Sequence, residues 1–202
     1  MGALSAALVL CAACAGLAAS SIRLTVAQAG PGPMATTCGL TALFAACAAT
    51  GVLAVREPNL ESAVAVAILG ACLTVGALTD AYSGFILNTV SYPAAAALFA
   101  DAALAGHAEA ALAGSAATSA TLGLLWAVSR GRAIGLGDVK LGVCIGAALG
   151  MARGELALGT AFVVGGTYAA AALVRGASCG EAVPFAPYLA LASLAVIASS
   201  RP

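Results

Sequence analysis

Residues 131–150 read G-R-A-I-G-L-G-D-V-K-L-G-V-C-I-G-A-A-L-G. The stretch places a carboxylate, Asp138, and an ammonium group, Lys140, two positions apart at the beginning of a small and apolar run. An ionisable side chain in such surroundings costs free energy, and inside a membrane segment it is a candidate for function. Asp138 is therefore the first candidate for a functional residue in this sequence.

The composition of the whole chain indicates a membrane protein. Of its 202 residues, 62% are hydrophobic and only 8% are charged, and the mean hydropathy is +1.07. These values lie outside the range of soluble domains. The eight basic and eight acidic residues balance and are spread thinly, so no basic patch supports the binding of nucleic acid. The lipid bilayer is the expected partner.

Apolar runs near the roughly 20 residues that cross the hydrocarbon of a bilayer occur throughout the chain. We predict an all-α, polytopic membrane helix bundle of about eight transmembrane helices, which forms a single integral membrane domain over residues 1–202. A count of six or seven also fits, because the sixth run is short and little more than G-H-A-E separates the fourth from the fifth. The predicted spans are residues 2–20, 34–55, 60–79, 86–105, 110–129, 134–152, 155–174 and 185–200.

Basic residues predict the orientation, because they favour the cytoplasmic side of short loops. The first apolar run has no Lys or Arg before it, so we interpret it as a retained span and not as a secretory signal. With eight spans and an outside N-terminus, the bias towards the inside is concentrated near Asp138. The basic residues inside are Arg23, Arg130, Arg132, Lys140 and Arg175, and those outside are Arg56, Arg153 and Arg201.

Two acidic residues stand out from the others. Asp80 ends the third predicted span and Asp138 begins the sixth, so both carboxylates lie on the same side of the membrane. Each shares a stripe of small residues spaced by four, and such stripes let membrane helices approach closely. We expect these two helices to contact each other and to bring the carboxylates together. The small residues are Cys72 and Gly76 for Asp80, and Gly142, Gly146 and Gly150 for Asp138.

A pair of neighbouring carboxylates supports two classes of function. Sharing one proton, the pair provides a base that activates water and an acid that polarises a carbonyl, as aspartic proteolysis requires. The same parts build the site of a proton- or cation-coupled transporter. An inverted internal repeat would favour a transporter, and the sequence shows no convincing one. The remaining acids lie in or beside loops, and we assign Asp101 an interfacial or packing role.

Three segments carry a resemblance to a known family. They are D-A-Y-S-G-F-I-L-N at 80–88, G-L-G-D-V-K at 135–140 and V-P-F-A-P-Y-L-A-L at 183–191. The first two resemble the active-site motifs of type IV prepilin peptidases: an Asp followed eight positions later by the Asn of an I-P-N triplet, and a G-x-G-D core. The third is similar to the proline-bracketed start of that family's last span. Leu87 stands where the family usually has proline.

The resemblance implies a membrane aspartic endopeptidase that needs no metal and no cofactor. Its catalytic pair would be Asp80 and Asp138, and its partners would be pilin-like precursor proteins with short leader peptides. By the same resemblance, the leader is basic, ends in Gly and precedes an apolar helix, and it is removed at the cytoplasmic face of the cell membrane. Beside this pair, Gly135 and Gly137 would let the main chain of the substrate approach Asp138. Lys140 is either a cytoplasmic anchor or a residue that positions the substrate, and Asn88 either caps the fourth span or contacts the substrate.

The cysteines predict a short form of such an enzyme. Larger relatives carry a domain with paired C-x-x-C motifs between the first two spans, which accompanies methylation of the new N-terminus. Only residues 21–33 lie there, and the one C-x-x-C, formed by Cys11 and Cys14, is inside an apolar run. We therefore expect peptidase activity alone, without a metal site. A G-x-G-D protease for other signal peptides is the alternative, and the Asp80-to-Asn88 spacing and the absence of a P-A-L triplet near the C-terminus speak against it.

Overall fold

A computed structural model describes residues 49–54, 60–176 and 183–199 of the protein. Within these ranges the regular structure is entirely helical, which confirms the all-α prediction. Residues 49–54 are helical. The five longer helices are α1 (Leu60–Ser83), α2 (Asn88–Leu104), α3 (Ala108–Ser129), α4 (Leu136–Val174) and α5 (Ala186–Ser199).

Three helices in the described ranges are long and apolar enough to cross a membrane. They comprise Ser62–Ser83 of α1, all of α3 and all of α4. Helices α2 and α5, with 17 and 14 residues, are shorter. The membrane setting follows from this composition, whereas the predicted count of about eight spans is not confirmed. The first predicted span and most of the second lie outside the described residues.

Helix α4 reverses direction part-way along its 39 residues. Gly150 has φ 72° and ψ 179°, a backbone conformation that is essentially restricted to glycine. In a straight helix Gly146 and Gly154 would be about 12 Å apart. A Cβ atom on Gly154 would instead lie 3.5 Å from the Cα of Gly146, so the chain folds back on itself at Gly150.

The reversal divides α4 into two arms, residues 136–150 and 151–174. These arms correspond to the sixth and seventh predicted spans. The sequence placed the break between them at residues 153–154, where a basic side chain interrupts the apolar run. The structure moves it to Gly150, because only glycine accepts the backbone conformation that the reversal needs.

Helix α3 packs against the first arm of α4 at very short range. The backbones of Gly114 and Gly146 are so close that a Cβ atom on either would overlap the other. Thr118 Oγ1 donates a hydrogen bond to the carbonyl of Gly142 at 2.7 Å, and Ser115 Oγ donates to the next carbonyl along α4 at 2.9 Å. We call the contact made by Gly114, Ser115, Thr118, Gly142 and Gly146 the α3–α4 seam. Glycine allows the close approach here, and the hydroxyls join the two helices.

The seam corrects the predicted role of the glycine stripe. Gly142 and Gly146 face α3, and not α1 as the sequence suggested. The reason is geometric: four residues turn an α-helix about 40° beyond a full turn. A stripe with this spacing has therefore rotated by about 80° between Asp138 and Gly146.

Helix α1 does contact the first arm of α4, but through different residues. A Cβ atom on Gly76 would lie 3.2 Å from the Leu141 side chain. Further along, Cys72 Sγ lies 4.0 Å from Cys144 Sγ. The predicted proximity of the two helices is therefore present, with Leu141 and Cys144 on the α4 side of the contact. This packing brings the end of α1 beside the beginning of α4.

Candidate active site

Asp80 lies in the last turn of α1. The helix continues three residues beyond it to Ser83, where the sequence had placed its end at Asp80. Gly84, at φ 68°, donates its N–H to the Asp80 carbonyl at 2.8 Å, and a glycine in this conformation commonly terminates a helix. The Asp80 side chain accepts a hydrogen bond at Oδ2 from the N–H of Ala186 at 3.0 Å. The N-terminus of α5, with its partial positive charge, therefore lies against this carboxylate.

Asp138 lies in the first turn of α4. Gly135 precedes the helix with extended backbone angles and donates its N–H to Asp138 Oδ2 at 3.1 Å. The carboxylate thereby caps the helix of which it is part. The residue is only 6% exposed, and its second oxygen, Oδ1, has no hydrogen-bond partner in the described part of the chain. Buried polar atoms are normally paired, so this oxygen calls for an explanation.

Both carboxylates line one cavity of about 770 Å³. Asp80 comes from α1 and Asp138 from the first arm of α4, and the second arm of α4 and the start of α5 contribute a further wall. That wall is apolar and partly aromatic, so the cavity combines a carboxylate pair with a surface suited to an apolar chain segment. Its principal residues are Phe162, Gly165, Gly166, Ala169, Pro184, Phe185 and Tyr188.

A model of the type IV leader peptidase family matches residues 67–170, just over half of the chain. The chain belongs to the type IV leader peptidase family. No curated protein and no solved structure matches the chain. The family match establishes that the protein is a protease of the prepilin peptidase type. The apolar helices of the chain make it a membrane protein. The matched range contains both Asp80 and Asp138.

The structure distributes the other predicted site residues of the peptidase over two places. Gly135 lines the cavity, next to Asp138. Gly137 instead packs against the loop between α1 and α2, where a Cβ atom would lie 2.8 Å from Ile86 Cβ. Lys140 Nζ donates a hydrogen bond to Asn88 Oδ1 at 2.6 Å. Among the residues that the structure describes around the cavity, these last three are not part of the lining.

Several aromatic residues near the cavity of the peptidase were not singled out from its sequence. The rings of Phe162 and Phe185 lie 4.9 Å apart, centroid to centroid, and those of Tyr168 and Tyr188 lie 5.7 Å apart. The V-P-F-A-P-Y segment was a signal for the α5 residues. No local signal marked Phe162, because its place in the wall of the cavity depends on the reversal at Gly150.

The described residues of the peptidase include no group of three or more His, Cys, Asp or Glu side chains arranged to hold a metal. Cys72 and Cys144 are buried in the core, as is usual for cysteine side chains that pack as small hydrophobic residues. Cys11 and Cys14 lie outside the described residues.

Proposed function

We propose that this peptidase removes the short leader peptide of type IV pilin-like precursors at the cytoplasmic face of the membrane, with Asp80 and Asp138 as its catalytic pair. One observation carries the proposal. Two carboxylates from separate helices line the same cavity, and one buried oxygen, Asp138 Oδ1, accepts no hydrogen bond from the described residues. A water molecule or a substrate group in the cavity would supply the partner that this oxygen lacks.

The proposed reaction is a hydrolysis through a tetrahedral intermediate. One aspartate takes a proton from water, and the resulting hydroxide adds to the carbonyl carbon of the peptide bond. The other aspartate donates a hydrogen bond to the carbonyl oxygen as negative charge develops there. Collapse of the intermediate breaks the C–N bond, and a proton passes to the leaving amine. The products are a free carboxylate on the leader and a new N-terminal amine.

The walls of the cavity support a substrate with an apolar segment next to the cleaved bond. Phe162, Phe185 and Tyr188 provide aromatic surface, and a Cβ atom on Gly166 would meet nothing within 4 Å, which leaves room for a main chain to approach. Apolar surface of this kind binds apolar side chains by removing both from water. A precursor whose leader is followed by an apolar helix has this character at the junction.

Two features support the proposed orientation and organisation. Arg132 lines the cavity, and basic side chains favour the cytoplasmic side of a membrane. We therefore place the cavity mouth at the cytoplasmic face.

The helices also share one cluster of buried residues, with members from α1 to α5, as expected if the chain forms a single integral membrane domain.

The direct test is an assay of the purified peptidase in detergent. Incubation with a pilin-like precursor from the same genome should shorten the precursor by the mass of its leader, and mass spectrometry locates the cleaved bond. Recovery of the intact precursor with wild-type protein, under conditions in which the protein remains folded, would contradict the proposal.

The orientation has a separate test in cells. In a variant without its natural cysteines, Arg132→Cys should react with a membrane-impermeant thiol reagent only when the cytoplasmic side is opened. Cysteine in place of His107, which immediately precedes α3 at the end opposite to Arg132, is the matched control. Labelling of Arg132→Cys from outside intact cells would reverse the proposed orientation.

A further inference from the structure

The residues at the beginning of α2 and α4 form a polar contact beside the cavity. Lys140 Nζ lies 2.6 Å from Asn88 Oδ1 and 5.3 Å from the centre of the Tyr92 ring. The ammonium group thus has a carbonyl acceptor on one side and the negative face of an aromatic ring on another. Asn88 is the first residue of α2, and Tyr92 lies one turn further along it.

A second contact joins the same two parts of the chain. Gly137 packs closely against Ile86, in the loop that connects α1 to α2. A side chain at position 137 would overlap Ile86, so the absence of one allows the loop to approach α4. Together the polar and the apolar contact fix residues 86–88 against the first turn of α4.

The two segments joined in this way are the ones that carry the aspartates. Residues 86–88 follow Asp80 after the short turn that ends α1, and Lys140 follows Asp138 within one turn of α4. A movement of either segment would therefore change the separation of the two carboxylates. Lys140 and Asn88 are outside the described lining of the cavity, which favours an effect on the positions of the carboxylates over a direct contact with substrate.

We infer that Lys140 and Asn88 are positioning residues that act as one unit, a brace that holds the Asp80 and Asp138 segments at the separation that catalysis needs. The inference rests on the proposed function, since it takes Asp80 and Asp138 as the catalytic pair. The hydrogen bond between Lys140 and Asn88 also gives one reason for two spacings in the sequence. Asn88 follows Asp80 by eight residues, and Lys140 follows Asp138 by two.

Substitutions at both ends of the brace test this inference. Lys140→Met and Asn88→Leu should each lower kcat for precursor cleavage by about 10- to 100-fold, because a displacement near 1 Å can cost about 100-fold in rate. KM should change little. The double variant should be no slower than the slower single variant, since either change already removes the shared contact. Asn88→Asp keeps an oxygen acceptor for Lys140 and should retain most of the activity.

The control is Arg153→Met, which removes an exposed cation from the second arm of α4 and should leave kcat and KM unchanged. A rise in KM with unchanged kcat in Lys140→Met would mean that this side chain binds substrate, and the inference would be wrong. Multiplicative losses in the double variant would equally contradict a shared contact.

Thermal unfolding of the same variants separates the brace from the proposed function. If the two residues interact, the midpoint of the double variant should lie close to that of the less stable single variant. If wild-type protein cleaves no precursor, the proposed function fails. The unfolding midpoints of the variants then still show whether Lys140 and Asn88 interact. Additive shifts in the midpoint would overturn the inference whether or not the protein is active.

Discussion

The α3–α4 seam and the active-site cavity both place polar atoms among apolar helices, but they use them differently. In the seam, the hydroxyls of Ser115 and Thr118 donate to backbone carbonyls, and two glycine backbones touch. At the cavity, Asp138 Oδ1 is buried without a hydrogen-bond partner among the described residues, beside about 770 Å³ of space. The polar atoms of the seam are paired across the two helices, whereas one carboxylate oxygen at the cavity has no hydrogen-bond partner in the described part of the chain.

A third acidic side chain, that of Glu155, is partly buried among the apolar helices but already has a hydrogen-bond partner. Glu155, in the second arm of α4, accepts a hydrogen bond from Thr121 Oγ1 at 3.1 Å. It is not among the residues that line the described cavity. Like the polar atoms of the seam, the Glu155 carboxylate is paired with a side chain of α3. Glu155 is therefore the matched control for the two aspartates.

The largest expected effect comes from the proposed catalytic pair. Asp80→Asn and Asp138→Asn each keep the size of the side chain but remove its ability to exchange a proton, so each should lower the cleavage rate by roughly 100-fold or more. Glu155→Gln should stay within a few-fold of wild type. Rates are measured with the precursor assay, and circular dichroism checks that the variants are folded.

Retention of more than about a tenth of the wild-type rate in either asparagine variant would exclude the two-aspartate mechanism, given that general acid–base catalysis contributes at least about 100-fold. A loss of similar size in Glu155→Gln would mean that the two aspartates of the cavity are not functionally distinct from this partly buried glutamate.

The next largest effect should come from filling the seam. Gly146→Leu introduces a side chain where the Gly114 backbone and Thr118 leave no room, and overpacking typically costs about 1–3 kcal/mol. We expect a lower unfolding midpoint in detergent and reduced activity, although no group of the cavity is altered. Gly159→Leu is the control, because a Cβ atom at Gly159 would meet nothing within 4 Å. Equal midpoints for the two variants would refute the tight packing described for the seam.

A smaller effect is expected from removing one hydroxyl of the seam. Thr118→Val deletes the hydrogen bond to the Gly142 carbonyl at nearly constant volume and should cost about 0.6–1 kcal/mol, as for other interhelical hydrogen bonds in membranes. Thr160→Val is the comparison, because Thr160 Oγ1 bonds only within its own helix, to the Leu156 carbonyl at 2.8 Å. Denaturation of both variants in the same detergent measures the difference, and a larger loss for Thr160→Val would be inconsistent with the seam.

The weakest contact tests the helix pairing on the cavity side. The thiol is a weak donor, so Cys72→Ala should have little effect on stability. The two sulfur atoms, 4.0 Å apart, should nevertheless be joined by copper phenanthroline in a variant that keeps only Cys72 and Cys144. Titration of free thiols after denaturation detects the bond, and a variant with Cys72 alone is the control. Full recovery of both thiols after oxidation would contradict the α1–α4 contact.

Much of the molecule could be predicted from local features of the sequence. Apolar runs predicted the helices from residue 60 onwards to within a few residues, because the length and hydropathy of a membrane helix are properties of a continuous segment. The G-x-G-D core and the spacing from Asp80 to Asn88 predicted the family. The two aspartates were also expected on one side of the membrane, because an even number of spans separates them.

The tertiary structure decided what these segments contact. The glycine stripe of α4 faces α3, because a spacing of four drifts around a helix, and its partner cannot be read from one helix alone. The N-terminus of α5 lies on Asp80, and Phe162 reaches the cavity only because α4 reverses at Gly150. Sequence by itself determined the helices, the family and the two candidate carboxylates. Their cavity, and the pairing of Lys140 with Asn88, arise from contacts between distant segments, which no local pattern encodes.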